Sequence, residues 1–86
     1  MPEISRFYGI VITLNFNDHL PPHVHAWYGG YRATVAIEDG APLHGELPGY
    51  AARMVREWAT LHRAELMEAW EQTRQGRVPF KIEPLE

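Results

Sequence analysis

The chain has 86 residues, 45% hydrophobic, 22% charged and 12% aromatic, a size that allows one core and a composition that excludes intrinsic disorder. The absence of cysteine rules out a disulfide framework and thiolate metal sites and fits a reducing compartment. A formal net charge of -3 supplies no bulk attraction to nucleic acid, whose binding depends on Lys and Arg neutralising phosphates.

These bounds predict a single domain over residues 1–86. The opening residues through Arg6 lack the basic start and apolar run of a signal peptide, and no stretch reaches membrane-spanning length. We therefore expect a cytoplasmic protein with no membrane partner. The glycines are scattered through turns rather than grouped before a helix, so no nucleotide cofactor, and no other, is expected. Seven of the eight basic residues are arginine, which suits bidentate contacts and aromatic stacking and keeps a local nucleic-acid contact open.

In chain order, Gly9 to Phe16 reads as the first strand, with Ile10, Ile12, Leu14 and Phe16 alternating on one face. Asn17 to Pro22 breaks it, because Pro21 and Pro22 offer no amide donors and restrict the residues before them. His23 to Tyr28 and Tyr31 to Ile37 then flank Gly29-Gly30, the pattern of a tight hairpin. A two-residue loop pairs Tyr28 with Tyr31, Trp27 with Arg32, His25 with Thr34 and His23 with Ala36. Val24, Ala26, Tyr28, Tyr31, Ala33 and Val35 then face the core, while His23, His25, Trp27, Arg32 and Thr34 face away from it.

Leu43 to Leu47 reads as a short edge strand or an extended approach to a helix. Pro48 suits a helix start, and Ala51, Met54, Val55, Trp58, Leu61, His62, Leu66, Ala69, Trp70 and Thr73 recur at helical spacing up to a stop at Gly76. One kinked helix or two, broken near Leu61 to Arg63, fit equally. The tail from Val78 reads as extended, with Phe80 and Ile82 on one side. The fold expected is α+β, with a small antiparallel sheet of three to four strands packed on one face by this long C-terminal helical segment. Trp58 and Trp70 read as core anchors whose indole N–H groups need partners, from His62 or a strand carbonyl.

The segment Asp18-His19-Leu20-Pro21-Pro22-His23-Val24-His25 holds three of the five histidines and is the candidate site. His23 and His25, two apart on a strand, project the same way. Three chemistries fit them. His23 and His25 serve as acid and base, with Arg32 steadying phosphate charge, in a metal-independent ribonuclease; with His19 or Asp18 as third ligand they hold a divalent metal; or they are hydrogen-bonded strand residues beside a protein-binding face. Asp18, His19, Trp27 and Thr34 complete the candidate binding surface, with Trp27 and Arg32 disposed for a cation–π pair.

The run from Pro2 to Ile10, the stretch Asn17-Asp18-His19 followed by Pro21-Pro22-His23-Val24-His25-Ala26, and the segment from Glu57-Trp58 to His62-Arg63 resemble a family of small bacterial proteins catalogued as domain of unknown function 4160. That resemblance implies a small protein partner of the domain of unknown function 2442 type, in a suspected toxin–antitoxin pair. It points to a protein-interaction component, with the ribonuclease and the divalent-metal domain as alternatives. Homodimerisation through an exposed strand edge is open as well.

Overall fold

The computed structural model describes residues 2–86. Five strands, β1 (Glu3–Phe7), β2 (Ile10–Thr13), β3 (His23–Tyr28), β4 (Tyr31–Ala36) and β5 (Pro42–Glu46), precede two helices, α1 (Gly49–Leu61) and α2 (Arg63–Arg74). The strands form one antiparallel sheet in the order β1-β2-β3-β4-β5. The fold is α+β with five strands rather than three to four. Among the described residues, no helix is long and apolar enough to cross a membrane.

β1, which was not anticipated, and β5, read as an edge strand or an extended approach to a helix, both lack a clean alternation, and each for a local reason. In β1 the register shifts between Glu3 and Ser5, a bulge that brings Ile4 and Ser5 inside in succession and erases the period of two. Its turn into β2 is made by Tyr8 and Gly9, at φ 49° and 81°, so both central residues take the positive φ of a tight hairpin while only one is a glycine. Every residue of β5 is exposed, so no buried side marks it as a strand. Gly45 holds β5 against β4: its φ is +73°, and a Cβ there would stand 2.4 Å from the Arg32 carbonyl oxygen, which only glycine avoids.

The hairpin of β3 and β4 has the expected register, Tyr28 opposite Tyr31, Trp27 opposite Arg32, His25 opposite Thr34 and His23 opposite Ala36. Val24, Ala26, Ala33 and Val35 are buried, whereas Tyr31, expected on the core side, is exposed. β2 ends at Thr13, and Phe16, expected inside with Ile10, Ile12 and Leu14, lies outside because the chain has left the sheet by then.

The helical segment is two helices that meet at His62, whose φ of -114° and ψ of 25° leave helical geometry. Ala51, Val55, Trp58, Ala59, Leu66, Ala69 and Trp70 join the sheet's buried side chains in one hydrophobic core, and the Phe7 and Trp58 rings lie 5.4 Å apart. Leu61, counted in the apolar stripe, is 67% exposed, at the last position of α1 before the break at His62. The Trp58 indole donates to the Glu83 carbonyl at 2.8 Å, a tail acceptor in place of the expected His62 or strand carbonyl. Trp70 Nε1 is buried without a partner. The tail runs extended, its Ile82 amide donating to the Ile4 carbonyl at 2.8 Å, with Ile82 buried and Phe80 partly so.

Candidate functional site

The connection from β2 to β3 is tied down at both ends. The Asn17 amide donates to the Thr73 carbonyl of α2 at 3.2 Å, and the Ile37 amide donates to the Pro22 carbonyl at 3.1 Å. Asn17 takes a φ of 52°, and the Leu20–Pro21 peptide is cis. Within this frame the Asp18 carboxylate turns back onto the first residues of β3. Its Oδ1 accepts the His19 amide at 2.8 Å, while its Oδ2 faces His23 Nε2 at 2.9 Å and His25 Nε2 at 3.2 Å.

His23 is 1% exposed. Its ring lies 5.2 Å from that of Trp70 on α2 and 5.1 Å from that of His25, and its Nδ1 meets the Pro21 carbonyl oxygen at 2.7 Å. The position facing away from the core expected for it is corrected: at the start of β3, Trp70 and the Asp18 to Pro22 loop close over the ring. His19 lies beside it, with ring centroids 5.1 Å apart, yet its side chain is 80% exposed and meets the other oxygen of Asp18. Asn15, which carries no mark in the sequence, places Nδ2 at 3.1 Å from His25 Nε2 and 3.4 Å from Asp18 Oδ2.

Partial burial of the Asp18 carboxyl pushes its pKa up, but the His19 amide, the His25 hydrogen bond and the nearby His23 ring outweigh that and hold it at about 2, against an ordinary 3.8.

On the outer side of the same strands lies a groove of about 520 Å³, lined by Asn15, His25, Trp27, Arg32, Thr34 and His44 among others. Two cross-strand rows build it. One runs from Val11 through Trp27 and Arg32 to Glu46, the other from Thr13 through His25 and Thr34 to His44. The Arg32 guanidinium stands 5.6 Å from the centre of the Trp27 ring system, and the Trp27 indole donates to Thr13 Oγ1 at 3.1 Å, which fixes the ring on the sheet. Of the sequence candidates, His25, Trp27, Arg32 and Thr34 share the groove, Asp18 and His23 adjoin it through His25, and His19 stands against Asp18. His44 was missed because β5 gives no alternation to place it, and Asn15 because it lies just past the end of β2.

A family model described as Domain of unknown function (DUF4160) matches residues 9–71. The chain belongs to this family. The matched part of the DUF4160 chain runs from the turn before β2 into α2 and contains Asn15, the Asp18 to His25 cluster, the groove and Trp70. No curated protein and no solved structure matches the chain.

Proposed function

We propose that this DUF4160 chain is a protein-interaction component of a two-protein, toxin–antitoxin type pair, and that it engages its partner through the outer face of the sheet, opposite a face packed by α1 and α2. The observation that carries the reading is the groove in which Trp27 is braced by Thr13 and overlain by Arg32. An immobilised aromatic beside an arginine presents a large contact area at little cost in side-chain entropy, the composition of an interface anchor. The net charge of -3 favours a protein over a nucleic acid as occupant. β5 is a poor template for strand addition, because Pro42 and Gly45 interrupt it and its register against β4 shifts between Thr34 and Val35. Engagement is therefore by the face rather than the β5 edge, which also weighs against homodimers through that edge. The partner class follows from the family resemblance, a small protein of the domain of unknown function 2442 type.

The test is co-expression with such a neighbouring protein and copurification from bacteria. The parent chain is expected to copurify in a fixed ratio. Trp27→Ala and Arg32→Ala should lose the partner while keeping the parent's circular dichroism, and retention by both would refute the assignment of the face.

One observation favours a second reading, metal-independent RNA cleavage. His25 and His44 stand on either side of Thr34 in one cross-strand row, roughly 10 Å apart at the backbone for two strand spacings, with Arg32 in the same groove. A phosphodiester there would meet His25 and His44 as base and acid, not the buried His23. Growth arrest on expression of the chain alone, with RNA cleavage that disappears in both His25→Ala and His44→Ala, would establish it; cleavage that survives both would remove it.

A further inference from the structure

We propose that Asp18, His23 and His25 form a binding site for a divalent first-row transition metal ion of the zinc class, with Asn15 as an additional oxygen donor. The three side chains offer ligand atoms that all lie within 4.8 Å of one another, and the contacts from Asp18 Oδ2 to the two imidazole nitrogens are 2.9 and 3.2 Å. Ligands bonded to one metal at ~2.1 Å are separated by ~3.0 Å at right angles and ~3.4 Å at the tetrahedral angle. These two separations from Asp18 are those of adjacent corners of one coordination polyhedron, and two imidazoles with a carboxylate are a donor set that zinc and its neighbours accept.

The proton bookkeeping at His23 points the same way. The Pro21 carbonyl can only accept, so Nδ1 at 2.7 Å carries the hydrogen, which leaves Nε2 as the ring nitrogen open to a metal once the proton it shares with Asp18 is displaced. His25 Nε2 sits between the same oxygen and the Asn15 side-chain amide. Asp18 Oδ2, His23 Nε2 and His25 Nε2 thus converge, and a divalent cation can take the place of the protons that bridge them.

The supporting contacts are those of a metal site. Each of two ligands has its far atom held, His23 Nδ1 by the Pro21 carbonyl and Asp18 Oδ1 by the His19 amide, which orients the near atom as outer-shell partners do. Asn15 Oδ1 is buried without a hydrogen-bond partner. Turning that amide by 180° exchanges its nitrogen for its oxygen and presents an oxygen donor to the cluster. His19, placed in the metal set from the sequence, stands instead on the opposite carboxylate oxygen with an exposed ring. Since His25 and Asn15 also line the groove, the ion would sit at its floor, within reach of whatever the face binds.

The experiment uses the full chain, freed of any affinity tag and stripped with a chelator, titrated with Zn²⁺ by calorimetry and with Co²⁺ by visible absorption. Saturation at one ion per chain is expected, with ligand-field bands for Co²⁺. Asp18→Asn and His25→Ala should each weaken Zn²⁺ at least about 100-fold, beyond the loss typical of an outer-shell partner, while His19→Ala and His44→Ala stay within about threefold. His25 is half-exposed, so its variant tests the site even where a change at Asp18 or His23 disturbs folding. A folded parent that takes up no stoichiometric Zn²⁺, or a His25→Ala chain that binds it like the parent, would overturn the proposal.

Discussion

The cluster at Asp18 and the groove at Trp27 share His25 and lie within a few residues of each other, yet they are built on opposite terms. In the cluster, His23 is sealed between Trp70 and the loop, and its two ring nitrogens both have partners. In the groove, Arg32 and His44 are exposed, while Trp27 is held in place by Thr13. Burial makes the first region matter to stability, because an unpaired polar atom left inside costs its full desolvation. Exposure leaves the second free to exchange water for a partner. The difference predicts that substitutions in the cluster change folding and those in the groove change binding.

The largest expected effect is that of His23→Ala. It empties a buried position against Trp70 and orphans the Pro21 carbonyl, and should lower unfolding free energy by about 2 to 4 kcal/mol, measured by urea denaturation. A loss under about 0.5 kcal/mol, the range of an ordinary surface substitution, would erase the contrast between the regions. Gly45→Ala comes next. With φ at +73° and the Arg32 carbonyl in the way, it should cost at least about 1 to 2 kcal/mol and loosen β5, so that amide exchange quickens around His44 while the loop at Asp18 keeps its protection. Uniform loss of protection would mean that the two regions open as one unit.

The smallest effect sharpens the electrostatic side of the comparison. Asp18 is held at about 2 in the folded chain against 3.8, so the folded state binds its proton more weakly than the unfolded state. Its contribution is fully present above the unfolded value and is lost as pH falls from near 4 through about 2. In metal-free protein, Asp18→Asn should flatten the fall of stability across that window by up to about 2 kcal/mol; acid titrations that superimpose would show that the carboxylate is not held by its neighbours.

How much was legible in the sequence follows the same division. The hairpin and its register could be read because Gly29-Gly30 separates two alternating strands, and register carries Trp27, Arg32, His25 and Thr34 to one face without further information. The convergence of Asp18 with His23 and His25 was legible as a cluster in sequence, but not its burial, which depends on Trp70 from α2 closing over the start of β3. That contact joins residues 47 positions apart, and no local pattern encodes it. Asn15 and His44 belong to the site through tertiary neighbours alone. β1 escaped because a bulge removes the period of two on which strands are recognised, and β5 could be read only as an edge strand or an extended approach because it is exposed throughout.

The most direct test of the account is a calorimetric titration of the chain with the partner protein proposed for it, comparing the parent with Trp27→Ala and with Leu61→Ala, a change at an exposed side chain of α1. The account predicts that Trp27→Ala raises Kd by at least about 30-fold, as the loss of a hot spot of about 2 kcal/mol would, and that Leu61→Ala leaves it unchanged. Equal affinity of the parent and Trp27→Ala, with both folded, would contradict the assignment of the open sheet face as the surface through which this protein works.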